Sequence, residues 1–379
     1  MEKKPEVEKE LERLRQKIDA IDREMVAQLA DRQAVVEDIV ALKKRHNMPV
    51  YHPAREENLI SDRRTRGQAA GLDPEYVEEL FRCIMRQSRK EQGVRMADTG
   101  VRSGSSVLIV GGEGEMGAYF HHWFERAGYR VDVLGKDDWD RVAALCENRE
   151  LVLVSVPIDV TCRVIAELAP HLPSDCLLAD ITSVKAEPLA AMLRHHDGPV
   201  VGLHPLFGPT TSTLDKQIVV ATHGRDADRC RWLLDQMAAW GAIVVPADAE
   251  EHDQIMDIVQ TLRHFATFCF GQFLMHSRID LHRTLDFSSP IYRLELGMVG
   301  RLFAQDPGLY AEIIFATPKR RQLLRDYLAS LNRNLDMVEN NAKEVFTEEF
   351  RKVAEWFGPF GDQALRESSF LIDKLIERF

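Results

Sequence analysis

Residues 106–117 read SVLIVGGEGEMG. A short apolar run, Ser106 to Val110, meets a turn in which Gly112, Gly114 and Gly117 are spaced G-x-G-x-x-G. A buried strand ending in such a turn lets the backbone approach a pyrophosphate. The following helix start then offers free N–H groups and a positive dipole to the phosphates. The hexapeptide alone is weak. Its setting sharpens it: a helix is expected from about Gly117 to Ala127, and a second strand from Arg130 to Leu134. Gly112, Gly114, Glu115, Met116 and Gly117 are therefore the candidate dinucleotide contacts.

Outward from this turn the pattern repeats. Strands are expected at Leu151–Val156, Leu177–Asp180, Val200–Leu203, Gln217–Ala221 and Ile243–Val245. Short apolar strands alternating with helices imply a mostly parallel sheet covered on both faces. In the usual arrangement an acid ends the second strand and bonds the ribose. Here that position is Gly135, followed by Lys136, Asp137 and Asp138, while Asp132 lies within the strand. Asp137 would reach a ribose of NAD, and Gly135-Lys136 would tolerate a 2′-phosphate. NAD is the favoured reading and NADP stays open.

Upstream, residues 7–45 lack Gly and Pro. Val7, Leu11, Leu14, Ile18, Ile21, Met25 and Leu29 recur at steps of four and three, a heptad-like helical seam. Pro49 and Pro53 stop it. A second helix is expected from Pro53 to before Gly67, and a third from Asp73-Pro74 to about Gln92. Gly93 to Ser105 is polar and reads as a linker. After Pro246 the chain reads as helical, with breaks near Ser288-Ser289-Pro290, Asp306-Pro307-Gly308 and Phe357 to Gly361. The expected organisation is multidomain: an all-α three-helix module (1–93), a linker (94–105), an α/β Rossmann domain (106–248) and an all-α C-terminal domain (249–379).

The formal net charge of −11 argues against nucleic acid as the main partner. Six cysteines without a C-x-x-C pair argue against metal clusters and disulfide frameworks. Residues 1–12 are too charged for a signal peptide, and Ile255–Met275 carries Asp257, Arg263 and His264, which a membrane span would hold at high cost. A cytoplasmic protein is expected.

Histidine suits the removal of a proton from a hydroxyl, because it titrates near neutrality. Most of the thirteen need no such role. His204, in GLHPLFGP (202–209), falls just past an expected strand end, at the sheet edge that holds ligands. Ser183 and Lys185, in DITSVK (180–185), end another strand at that edge. His252 and His264 are twelve apart on expected helix and share a face only loosely. Arg293 and Arg301 are eight apart, about two turns, and can face one way. Lys185 and Arg293 suit salt bridges equally well.

These motifs in this order, with GGEGEMG, VSVP (154–157), EHDQ, LRHFATF and SSPIYRLELGMVGRLFAQDP, resemble prephenate dehydrogenases over roughly Val107 to Trp356. The resemblance implies oxidative decarboxylation of prephenate to 4-hydroxyphenylpyruvate. It implies that His204 takes the hydroxyl proton, that Ser183 orients His204 and the nicotinamide, and that Arg301 holds the ring carboxylate as a bidentate pair. Lys185 and His264 would help bind the substrate, and His264 would also take part in L-tyrosine feedback. Ser155 and Pro157 join the cofactor candidates.

In the helical module, Arg15 and Arg32 fall near the seam, where an unpaired charge is costly. Lys43, Arg55, Glu56, Ser88 and Gln92 fall on faces the helices could turn inward. Several cations with few acids expect a dianion. The spacing resembles the all-helical chorismate mutases of bacteria over about Leu11 to Gln92. That resemblance implies rearrangement of chorismate to prephenate without covalent catalysis. Arginines would clamp two carboxylates. Lys43 and Gln92 would donate to the ether oxygen, and Glu56 would accept from the substrate hydroxyl. His52 stands where that family usually has aspartate. The first helices of that fold interlock between two chains, so Arg15 would complete a partner's site in an obligate homodimer. Together the two halves resemble the bifunctional chorismate mutase/prephenate dehydrogenases, in which the first site makes the second site's substrate. No metal is expected.

Overall fold

The computed structural model describes residues 4–46, 52–96, 98 and 100–376. Pro49, the expected stop of the first helix, lies outside the described residues. The chain divides into two compact units, Met1–Val156 with Val160–Ala249, and Pro157–Asp159 with Glu250–Phe379.

The first unit opens with three helices: α1 (Lys4–Arg45), α2 (Pro53–Ala69) and α3 (Pro74–Met96). At about 1.5 Å per residue, the 42 residues of α1 span about 63 Å. Only its C-terminal part packs: Val36 and Val40 are buried, together with Ile60, Val77 and Met85 of α2 and α3. Val7, Leu11, Leu14, Ile18, Ile21, Met25 and Leu29 are all exposed. The expected end of α2 before Gly67 is wrong. The helix continues through Gly67 to Ala69, and a Cβ at Gly67 would lie 2.6 Å from Val77 Cγ2. Glycine at this position lets α2 and α3 approach closely. His52 caps α2, its Nδ1 accepting from the Arg55 N–H at 3.3 Å.

The α/β part follows: β1 (Ser106–Val110), α4 (Glu115–Arg126), β2 (Arg130–Leu134), α5 (Val142–Cys146), β3 (Leu151–Val154), α6 (Ile158–Leu168), β4 (Leu177–Asp180), α7 (Ala186–His195), β5 (Val200–Pro205), β6 (Ile218–Arg225), α8 (Ala227–Ala239) and β7 (Ile243–Ala247). The sheet order is β2-β1-β3-β4-β5-β6-β7, parallel except for β5 against β6. β1, β3 and β4 are buried along their whole length, which is why they read as unbroken apolar runs. Alternate residues feed two cores. Val107, Ile109, Leu151 and Leu153 pack with Phe120, Trp123 and Phe124 of α4 and Trp240. Leu108, Val110, Val152 and Val154 pack with Val164, Ile165 and Met192. Each such large apolar side chain contributes about 1.5–3 kcal/mol when fully buried. Four strands end elsewhere than expected: β3 stops at Val154, β5 and β6 run on to Pro205 and Arg225, and β7 passes Pro246. The lengthening of β5 comes from antiparallel pairing with β6, His204 opposite Val220 and Pro205 opposite Val219.

The second unit is helical: α9 (Ala249–Met256), a π-helical stretch (Asp257–Leu262), α10 (Arg263–His276), α11 (Leu281–Asp286), α12 (Pro290–Phe303), α13 (Pro307–Phe315), α14 (Pro318–Glu339), α15 (Lys343–Phe357) and α16 (Pro359–Ile376). Two of the expected breaks are capped starts. Ser289 Oγ accepts from the Tyr292 N–H, and Asp306 accepts from the Gly308 and Leu309 N–H groups, each before a proline. The π stretch had no sequence signal. Arg320, buried on α14, donates from Nε to Asp257 Oδ1 at 3.0 Å and from Nη1 to the Ile313 carbonyl, holding this stretch against α13 and α14. Among the described residues no helix is long and apolar enough to cross a membrane.

Candidate functional site

The glycine turn lies where β1 is flanked by β2 on one side and β3 on the other, the point at which strand order reverses. The glycines divide the work differently from the expectation. Gly111, outside the G-x-G-x-x-G set, takes the left-handed conformation at φ +81, and a Cβ there would meet the Ser155 carbonyl at 2.2 Å. So Gly111, not Gly112, makes the turn. Gly112 packs on Val133, and Gly117 packs on the Gly111 carbonyl, at 2.7 and 2.4 Å from a would-be Cβ. Gly114 is the N-cap of α4 at φ −71, ψ 160, a conformation open to any residue. A Cβ there would lie 3.3 Å from the Gly111 carbonyl oxygen, so glycine keeps the turn close against the helix N-terminus, where Glu115 and Met116 begin the first turn. This cradle fits a dinucleotide pyrophosphate.

At the end of β2, Asp138 Oδ2 accepts from the Gly135 N–H at 3.0 Å, and Asp132 pairs with Arg149 at 2.5 Å. Both are occupied in holding the chain. Asp137 is exposed between them in sequence. Ser155 follows β3, half-buried, its N–H donating to the Val110 carbonyl at 2.8 Å; Pro157, two residues on, is exposed.

His204 is buried within β5, next to the edge the ligand would use. Lys185 is fully buried and ion-paired with the equally buried Asp180. Its Nζ also donates to the Leu203 carbonyl at 2.8 Å, the peptide just before His204. Position 202 makes room for this pair: a Cβ on Gly202 would lie 2.4 Å from Thr222 Oγ1, and 3.2 Å from both Asp180 Oδ1 and Lys185 Cδ. The structure therefore ties Lys185 into the strand that carries His204. Its charge is met by Asp180, which accounts for its burial without a substrate. Ser183 is half-buried in the loop between β4 and α7.

In the second unit, His252 and His264 are both buried. The π stretch between them carries an extra residue per turn, so the helix advances less around its axis and brings the two toward one face. The expectation of a loose relation assumed a plain α-helix. His252 Nδ1 lies 2.8 Å from Asp253 Oδ1. His264 packs edge-on against Tyr310, with ring centroids 4.7 Å apart. Both its ring nitrogens are 3.3 Å from Arg263 Nη2, so the guanidinium sits over the ring. Burial first, and the Arg263 charge second, push His264 down to about 4. It lines a largely apolar cavity of about 460 Å³ with Phe268, Phe303, Tyr310 and Arg321. Arg301 is exposed on the last turn of α12, outside that lining. Arg293 donates to the Leu285 carbonyl at 2.6 Å and so fastens α11 to α12.

The helical module assembles most of its expected set. Arg32 Nη1 donates to Ser88 Oγ at 2.5 Å, and Lys43 Nζ to Gln92 Oε1 at 3.2 Å. Burial lowers both cations from their ordinary values; Arg63 lowers Arg32 further, while Glu56 raises Lys43. Sequence reading missed Arg63. It also missed Arg89, which is bonded to Glu56. Arg15 and Arg55 are exposed. Among the described residues no cluster of His, Cys, Asp and Glu is placed to hold a metal.

Comparison with known proteins agrees region by region. Residues 14–93 match chorismate mutase type II, residues 126–244 the nucleotide-binding domain of prephenate dehydrogenase, and residues 248–352 its dimerization domain. The T-protein of Enterobacter agglomerans is 42% identical over 363 residues, 96% of this chain and 97% of that protein. The T-protein of Haemophilus influenzae is 39% identical over 367 residues, again 96% and 97%. Among solved structures, the prephenate dehydrogenase of A. aeolicus, determined with hydroxyphenyl propionate and NAD+, superposes with a TM-score of 0.54 at 20% identity. It covers 67% of this chain and 97% of that one, a likeness of fold. A glycine cradle, a cation cluster on three helices and near full-length similarity thus agree: the chain belongs to the T-protein family, enzymes that join a chorismate mutase to a prephenate dehydrogenase.

Proposed function

We propose that the chain rearranges chorismate to prephenate in residues 1–93 and oxidises prephenate with NAD in residues 106–248 and 249–379, with residues 94–105 as linker. The observation that carries the first half is Arg32, half-buried yet bonded to the neutral hydroxyl of Ser88. A guanidinium held this way retains charge for an anion. Arg32, Arg55 and a partner's Arg15 clamp the two carboxylates in the reactive conformer. Lys43 and Gln92 donate to the ether oxygen, where negative charge develops, and Ser88 steadies Arg32. Glu56 accepts from the substrate hydroxyl.

For the second half, Gly112, Gly114, Glu115, Met116 and Gly117 hold the pyrophosphate, Asp137 the ribose, and Ser155 and Pro157 border the nicotinamide side. NAD held there would supply the acceptor for the hydride of the carbinol carbon. His204 accepts the hydroxyl proton, oriented by Ser183 and by the backbone that Lys185 pins. The ring carboxylate, held by Arg301, leaves as CO₂; its bonding electrons complete the aromatic ring of 4-hydroxyphenylpyruvate. His264, neutral near pH 7, lines the substrate region and takes part in inhibition by L-tyrosine.

A homodimer is supported by the exposed seam of α1, Val7 to Leu29, and by exposed Phe346, Phe350 and Trp356 on α15. Each would bury apolar surface against a second copy. The proposed compartment is the cytoplasm.

Purified protein given chorismate with NAD, and separately with NADP, tests both halves at once. Reduced NAD should appear, and faster than reduced NADP. His204→Asn should abolish it while chorismate is still consumed. If His204→Asn left the oxidation intact, the assignment of the base would fall.

A further inference from the structure

Arg89 sits one residue beyond Ser88 on α3 and is buried, yet it belongs to neither set described above. Its Nη1 donates to both oxygens of Glu56, at 2.7 and 2.8 Å. Its Nε donates to Asp215 Oδ2 at 3.2 Å. Asp215 and Lys216 belong to the turn before β6, in the same compact unit. Lys216 Nζ lies 3.5 Å from Glu56 Oε2. One carboxylate on α2 is thus framed from α3 and from the α/β region.

That turn is held in place. Lys216 has φ +58, a left-handed conformation that a lysine adopts only under constraint. Its N–H donates to the Gly241 carbonyl at 3.0 Å. Gly241 in turn has φ +105, and a Cβ there would lie 3.2 Å from Asp215 Cα. The turn after α8 therefore closes on the segment that presents Asp215 and Lys216.

We infer that Arg89 is a positioning residue for the chorismate rearrangement, and that Asp215 and Lys216 complete its frame. The inference rests on the reading of Glu56 as acceptor for the substrate hydroxyl. A free glutamate would lose rotamer freedom on meeting substrate; here that loss is incurred on folding. An ionised carboxylate offers about four acceptor positions, so Arg89 and Lys216 leave room for a hydroxyl. The guanidinium suits the task because its separate N–H groups reach two carboxylates at once, which an ammonium does less well.

The test compares steady-state constants of full-length variants for both reactions. Arg89→Gln should raise the chorismate KM about tenfold with kcat nearly unchanged, since a bond of Glu56 made before and during reaction is weakened alike. Asp215→Asn should raise it about fivefold, although Asp215 lies outside the helical module. Prephenate oxidation should be unchanged in both. Arg89→Lys should recover part of the loss. In a Glu56→Gln background, Arg89→Gln should add nothing. Full additivity there would mean that Arg89 acts on general stability and would overturn the inference. So would Glu56→Gln crippling the mutase while Arg89→Gln and Asp215→Asn leave it intact. If Glu56→Gln itself left the mutase intact, the reading of Glu56 and the inference would both fall. Should Arg89→Gln not fold, Asp215→Asn and Lys216→Met pose the same question, and no change in either overturns it.

Discussion

Lys185 and Arg32 are both cations withdrawn from water, and their partners differ. Lys185 is enclosed by the sheet and faces the carboxylate of Asp180. Arg32 is half-buried between α1 and α3, faces the neutral hydroxyl of Ser88, and has the like charge of Arg63 nearby. A buried cation beside a carboxylate already has its charge answered, and Lys185 in addition fastens the strand that carries His204. One bonded to a hydroxyl keeps a field that an anion can complete. His264 is a third case. Pressed by Arg263 and by burial, it discards its proton and enters the cavity of the second unit as a neutral ring.

The contrast can be broken by exchange. Arg32→Ala should cut mutase kcat/KM about a thousandfold while urea unfolding moves little. A large loss of stability with modest loss of rate would reverse the distinction. Lys185→Met should do the opposite, costing about 3–5 kcal/mol in urea unfolding by leaving the buried Asp180 charge alone. Adding Asp180→Leu should return most of that, whereas a double variant no more stable than Lys185→Met would refute the ion-pair account. Gly202→Ala should cost about 1–3 kcal/mol, because its methyl meets Thr222 and the same pair. For His264, the folded-state value of about 4 lies below the ordinary 6.5. Stability is therefore fully present above pH 6.5 and declines as pH falls toward 4. Across that window, replacing His264 by Gln should flatten the fall in melting temperature by roughly 2–4 °C. An unchanged slope would show that His264 is not the group being protonated.

Much of this architecture is written locally. β1, β2 and β4 begin and end where the apolar runs do, and the capped starts of α12 and α13 follow from Ser289-Pro290 and Asp306-Pro307. The pairings of Arg32 with Ser88 and of Lys43 with Gln92 were legible because residue type and spacing on the helices carry them. What stayed hidden depends on partners far along the chain. Gly67 reads as a helix stop, and only Val77 explains it as a contact point. The π stretch is held by Arg320, 63 positions beyond Asp257. Lys185 has the same letter whether it meets substrate or Asp180. Arg89 has no motif, because its meaning lies in Asp215, 126 residues away.

The crowding around Gly202 has an evolutionary consequence. Its Cβ position is claimed by Thr222, Asp180 and Lys185, residues from two other segments of the chain. Enlarging residue 202 first is costly, and dropping one charge of the pair first strands the other. These four positions should therefore change together or not at all. The strand that carries His204 would then drift more slowly than its own chemistry demands, held back by the packing of its neighbours.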